Sequence, residues 1–180
     1  LTLCGKSTLF QSFCQRPGRL AAIKGNLGIV NVPDSRLDQL SALFNPQKTT
    51  PATVNFEDCL AFDNPSRQER ARSYDRLKTM AAFLLAVGAF RLGDEEEIGK
   101  EALKTRFDMV SNDLDFIMKR IERLEKEIQR EAKHRAQNEA EMALLKRLAP
   151  VLEAEGFLRE LDFTTPERGI ITNYSMLTMK

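Results

Sequence analysis

Close to the start of the chain, Cys4-Gly5-Lys6-Ser7-Thr8-Leu9-Phe10 sets a glycine, a lysine and two hydroxyls in consecutive positions. That order suits the binding of a polyphosphate. Gly5 lets the backbone approach an anion with no Cβ in the way. Successive N–H groups and the N-terminus of a following helix then face the anion. Lys6 reaches toward β and γ phosphates, and the Ser7 hydroxyl can enter an Mg²⁺ shell. The motif G-x-x-x-x-G-K-[ST] places its first glycine one residue before Leu1, so the chain carries the second half of a phosphate loop. Gly5, Lys6, Ser7 and Thr8 are the candidate phosphate-binding residues, with Lys6 the catalytic candidate. A four-residue match alone also arises by chance. Its context favours the motif, because Leu1 and Leu3 suit the end of a buried strand and Leu9 and Phe10 suit a helix packed back on a sheet.

A phosphate loop needs a second Mg²⁺ contact, normally an Asp at the end of a neighbouring strand. Thr53-Val54-Asn55-Phe56-Glu57-Asp58 alternates as a strand does and delivers Asp58 at its end. Ser7 and Asp58 are thus the expected metal pair. Without the loop, Asp58 would read as a solvated carboxylate.

These groups need elements to position them. Residues 14–25 show no period and read as loop. Leu27 to Val32 predicts a strand that stops at Pro33. Asp34 or Ser35 can cap a short helix bearing Leu37, Leu40 and Phe44, which Asn45-Pro46 ends. A polar loop over 63–66 leads into a helix reaching about Met80. The apolar run Ala81–Phe90 predicts a strand covered on both faces. Asp94-Glu95-Glu96-Glu97 reads as a solvated loop.

The following stretch has a different character. Val110, Leu114, Ile117, Ile121, Leu124 and Ile128 recur at alternating spacings of four and three, a heptad seam. Asp115/Lys119 and Glu122/Lys126 face outward as i, i+4 pairs. A helix from Phe107 to His134 would be a rod of roughly 42 Å. Arg135 to Glu139 reads as a turn. A second helix over 139–154, kinked at Pro150 and ended by Gly156, turns Leu144 or Leu145, Leu148 and Leu152 inward. The pair predicts an antiparallel hairpin arm. His134 and the neighbouring Arg130, Lys133 and Arg135 read as a solvated tip, because acidic residues are interleaved; the functional alternative is a contact for an anionic partner such as RNA. Thr164-Thr165-Pro166-Glu167 reads as a helix start, and Tyr174–Lys180 as the approach to a further strand.

The chain has 180 residues, 29% charged and 42% hydrophobic, with a net charge of +1. That is a globular balance, and nothing in bulk charge argues for a nucleic-acid or membrane surface. Neither a signal peptide nor a membrane-length apolar run is present. Three scattered cysteines, Cys4, Cys14 and Cys59, read as thiols in a reducing compartment. The first residue is not Met, and the chain reads as a fragment.

Four stretches together resemble the YchF-type, Obg-related P-loop NTPases: Gly5–Phe10, Asn26–Leu37, Pro51–Asp58 and Tyr174–Lys180. The resemblance implies an α/β fold with a mainly parallel sheet and an inserted antiparallel helical hairpin. The nucleotide-binding part would be 1–103 and 158–180, with the coiled-coil insert at 104–157. It also implies a cytoplasmic protein that binds and hydrolyses ATP or GTP with Mg²⁺ and associates with ribosomes or RNA. No membrane contact and no sequence-specific DNA binding are expected. The family's C-terminal TGS-like domain is missing. Phe62 matches the apolar residue that replaces the usual catalytic glutamine. Two positions depart from the family: Ala61 stands at the D-x-x-G glycine and Ala22 at the switch threonine. The family pattern also holds more residues than this chain before Leu1, between about Phe13 and Ala22, and between Asp58 and Asn64. Ala22 and Ala61 are therefore either true switch losses or neighbours of those gaps.

Two other functions compete. One is a degenerate relative that binds through its arm and hydrolyses little. The other is a chromosome-maintenance-type ATPase head, which lacks its L-S-G-G-like signature here.

Overall fold

The computed structural model describes residues 4–14, 20–59, 67–91, 93–130 and 134–180. In chain order it contains helix α1 (Lys6–Cys14), strands β1 (Leu20–Lys24) and β2 (Leu27–Asn31), and helix α2 (Ser35–Phe44). Strand β3 (Thr53–Glu57) and helix α3 (Arg67–Lys78) follow, then α4 (Glu95–Arg130), α5 (Arg135–Glu153) and α6 (Thr165–Thr172).

The described strands form one sheet in the order β1-β2-β3, with both pairs antiparallel. This corrects the expectation of a mainly parallel sheet for these strands. Gly25-Asn26 joins β1 to β2, and a two-residue connection can only reverse the chain; Gly25 takes the left-handed φ of +61° that the turn requires. Residues 20–24, expected as loop, are drawn into β1 by pairing with β2, with an irregularity between Leu20 and Ala22. Strand β2 alternates, burying Gly28 and Val30.

The run Ala81–Phe90 is not a strand; its last residues begin a 3₁₀ turn, Ala89–Arg91. Apolar composition makes a strand possible, but a ladder partner makes it one. Its backbone meets Cys4 at Gly88, where a Cβ would lie 3.0 Å from the Cys4 Cα. Leu84 is 70% exposed, so the run is not covered on both faces.

Helix α2 begins as its sequence dictates, with the Asp34 carboxylate accepting from the Arg36 N–H at 3.0 Å. Helix α4 starts much earlier than Phe107. The acidic cluster is its N-terminus: Asp94 Oδ1 accepts from the Glu97 N–H, and Glu97 Oε2 accepts from the Gly93 N–H, each at 2.9 Å. The Asp94 bond satisfies a donor that the first helical turn leaves open, the Glu97 bond ties down the residue before the cap, and carboxylates favour that end of the helix dipole. The 36 residues of α4 make a rod of roughly 54 Å.

Helices α4 and α5 pack as an antiparallel pair, since Arg106 reaches Glu155 just past the end of α5 while Arg120, farther along α4, meets Glu141 near the start of α5. Val110, Ile117, Ile121 and Leu124 bury against Leu144, Leu145, Leu148 and Leu152, whereas Asp115, Lys119, Glu122 and Lys126 are exposed. Arg135–Glu139, expected as a turn, is the first turn of α5. The helix runs through Pro150 and ends at Glu153, three residues later, where Glu155 adopts φ +59° and Gly156 N–H donates to Val151 O at 2.8 Å. Helix α6 starts where expected, with a capping box of Thr164 and Glu167.

The tail is a buried 3₁₀ turn, Leu177–Met179, rather than a strand approach. Asp113 holds it. The buried Asp113 carboxylate accepts from the N–H groups of Leu177 and Thr178, at 3.1 and 2.7 Å, and from the Thr178 hydroxyl at 2.8 Å. Burial raises the Asp113 pKa, opposed by these bonds. Among the described residues no helix is long and apolar enough to cross a membrane.

Ile121 is 8% exposed within the hairpin seam. Replacing Ile121 with Asp buries an unpaired charge and is expected to cost roughly 3 kcal/mol or more. Circular dichroism should show lost helix and a lowered melting temperature; an unchanged melt would reject the seam.

Candidate phosphate and metal site

Gly5 adopts φ +86°, a value that glycine permits and that turns the chain into α1. The first helical bond follows at once, from Leu9 N–H to Gly5 O at 2.9 Å. Lys6, Ser7 and Thr8 therefore form the first turn of a nine-residue helix, whose leading N–H groups have no acceptor within it. An open cavity of about 320 Å³ lies there, lined by Cys4, Gly5, Lys6, Ser7, Thr8 and Phe90. Phe90, expected at the end of a strand, is 76% exposed and lines this cavity instead.

The orientation of α1 is fixed from behind. A Cβ on Gly28 would lie 2.2 Å from Cys14 Sγ and 3.2 Å from the Phe10 ring, so β2 accepts the helix only because residue 28 is glycine. Phe13 stacks on Phe56 of β3 with ring centroids 5.5 Å apart. These contacts bring Ser7 to the end of β3, where the Ser7 hydroxyl donates to Asp58 Oδ2 at 2.5 Å. Two residues 51 positions apart in sequence thus touch.

The pair has the chemistry of a hard-cation site. Mg²⁺ takes oxygen ligands, commonly one or two from protein and the rest from phosphates and water, and neighbouring oxygens in its octahedral shell lie about 2.9 Å apart. A hydroxyl and a carboxylate in contact supply oxygen ligands of this kind, so these residues fit the ion. Among the described residues, no group of three or more His, Cys, Asp or Glu could hold a metal by itself.

Beside the pair, Glu57 is gripped by Arg76 of α3, with Nε to Oε1 at 2.7 Å and Nη2 to Oε2 at 2.6 Å. The hydrogen bonds from Arg76 hold the Glu57 carboxyl below its ordinary value of 4.5. Burial pushes the Cys59 thiol up, and Glu57 adds to the effect. Cys14 and Cys59 are free thiols. Ala22 lies in β1 opposite Ile29. Ala61 and Phe62 lie outside the described residues, as do most of the two internal windows (15–19 and 60–66) where the family pattern is longer. Exposed His134 precedes α5 at the hairpin turn.

A glycine-led helix start facing a strand-end carboxylate, in an α/β fold with a helical hairpin, is the local geometry that a phosphate loop calls for. Comparison makes the likeness particular: nearly the whole chain is similar to about half of each of several YchF proteins. It is 30% identical over 195 aligned residues to the ribosome-binding ATPase YchF of Escherichia coli O157:H7, covering 98% of this chain and 52% of that protein. It is 28% identical over 188 residues to the protein of the same name from Bacillus subtilis, covering 98% and 51%. The solved structure of the Schizosaccharomyces pombe YchF GTPase superimposes with a TM-score of 0.75 at 21% identity, over 98% of this chain and 51% of that one. No protein-family model matches the chain. The chain spans about half the length of the curated relatives it matches. The alignment of 195 positions is longer than the 180 residues of the chain, so it opens gaps in this sequence.

Two outcomes test this geometry. Gly28→Ala should displace α1, lower stability by about 1–3 kcal/mol and weaken any ligand held by Gly5–Thr8. Adding Cys14→Ala removes the 2.2 Å clash and should recover part of the loss in chemical denaturation. The second outcome concerns pH. A depressed folded-state carboxyl stabilises above its unfolded pKa and loses that contribution as pH falls through the folded value. The Glu57–Arg76 pair should therefore persist down to below pH 4.5. Glu57→Gln should shallow the acid limb of the stability profile measured by thermal melts.

Proposed function

We propose that this chain is the nucleotide-binding part of a ribosome-associated NTPase that takes ATP or GTP with Mg²⁺. The contact between Ser7 and Asp58 at the N-terminus of α1 carries the reading. The names of the relatives support it: the curated proteins are ribosome-binding ATPases and the structural neighbour is a GTPase.

On this reading the N–H groups of Gly5 to Thr8 bind the phosphates, with the positive end of α1 behind them. Lys6 sits on the β and γ oxygens and stabilises the charge that develops as the terminal phosphoryl group departs. Ser7 and Asp58 would hold Mg²⁺, which would supply positive charge against the phosphates. Residues 1–103 and 158–180 form the nucleotide-binding domain, and 104–157 its helical insert. The insert is a stiff arm suited to a macromolecular surface, with the ribosome or its RNA the partner in the cytoplasm.

The test is a titration of full-length protein with fluorescent ATP and GTP analogues, followed by turnover. At least one analogue should bind in a Mg²⁺-dependent way. Lys6→Ala should weaken it by about 10–100-fold, the worth of a charge-assisted contact. Binding without turnover would favour the degenerate binding module, and no binding of either analogue at millimolar concentration would reject the proposal.

A further inference from the structure

Asp58 lies just beyond the end of β3, where a strand has no further ladder to hold it. Two residues outside the phosphate loop supply that restraint. The Asp58 N–H donates to Asn26 O at 2.9 Å, and Asn26 Nδ2 donates back to Asp58 O at 3.3 Å. The Asp58 peptide is thereby clamped from both sides by the turn between β1 and β2. The same Asn26 amide reaches Glu57 Oε1 at 3.4 Å. Glu57 in turn accepts the two-point fork of Arg76.

Successive strand side chains point to opposite faces. With Glu57 committed to α3, Asp58 is directed to the other face, toward Ser7. A rotation at the strand end that turned Asp58 away would break the Arg76 fork and both Asn26 bonds. The Glu57 side chain is only 9% exposed, while Arg76, 59% exposed, reaches it from the solvent side. The planar fork of Arg76 fixes the orientation of the carboxylate it grips.

We infer that Asn26 and Arg76 are positioning residues for the Asp58 carboxylate, Asn26 by clamping the Asp58 peptide and Arg76 by locking Glu57 on the opposite face. The inference rests on the Mg²⁺ reading above and extends it to two residues that touch neither nucleotide nor metal. Groups that orient a metal ligand in this way typically alter metal affinity by about 10–100-fold when removed.

The experiment measures binding of the fluorescent nucleotide to full-length protein as Mg²⁺ is titrated, with a parallel series in EDTA and a thermal melt. Asn26→Ala and Arg76→Gln should each raise the half-maximal Mg²⁺ concentration about tenfold, with metal-free affinity and melting temperature near those of the wild type. Should the alanine variant melt early, Asn26→Ser repeats the test. Because Arg76 acts through Glu57, Glu57→Gln combined with Arg76→Gln should shift the midpoint no further than either alone. Arg76→Lys, a charge without a fork, should fall between wild type and Arg76→Gln. Wild-type Mg²⁺ midpoints for Asn26→Ala and Arg76→Gln, beside a shifted Asp58→Ala control, would overturn the positioning role alone. An unshifted Asp58→Ala would overturn the Mg²⁺ assignment itself, and the positioning role with it.

Discussion

The distance between a helix and a strand governs this site, and an absent side chain sets it. Helix α1 carries the glycine-lysine-hydroxyl turn at its leading end and Cys14 at its trailing end, and Cys14 fills the space a Cβ on Gly28 would need. Because the helix is rigid, any shift at Cys14 propagates to Ser7. Phe13 stacked on Phe56 adds a second point of attachment, to the strand that ends beside Asp58. In the proposed role, a loop that aims backbone N–H groups at a phosphate tolerates little misplacement. The packing behind the loop therefore belongs to the site as much as Lys6 does.

The parts legible from sequence were those in which neighbouring residues determine the outcome. The glycine-lysine-hydroxyl run, the cap at Asp34, the box at Thr164 and the heptad seam all act over a few positions, and they fold as their local chemistry requires. Asp58 was readable because strand alternation ends on it. Errors arose where the deciding partner is remote. Ala81–Phe90 has the composition of a strand without a ladder among the described residues. Residues 20–24 lack a periodic pattern yet pair with β2. Asp94 and Glu97 did carry a local signal, an acidic residue three positions before a Glu, and it was hidden within a run that reads as solvated charge. The Asn26 and Arg76 contacts to the strand end had no local signature.

The root of the hairpin depends on polar groups as well as on its apolar seam. Arg120 donates to Glu141 at 2.6 Å and also reaches Glu127, and the Tyr174 hydroxyl donates to Glu141. Burial is the largest cause of the rise of the Tyr174 pKa to about 12, and its bond to Glu141 adds to it. Phe116 meets the edge of the same ring. The cluster joins α4, α5 and the segment after α6, which gives the arm a defined base.

Lys180 gives the chain an order of assembly. Its Nζ donates to Leu77 O and Lys78 O, 103 and 102 positions earlier, and Leu177 packs with Leu77 and Met109. The hairpin can close as soon as α5 exists, because its contacts are local. The junction of α3 with α4 has no such freedom: its donors sit on residues 177–180. During synthesis the arm would form first, while the base that joins it to the nucleotide side stays open until the last of these residues leaves the ribosome.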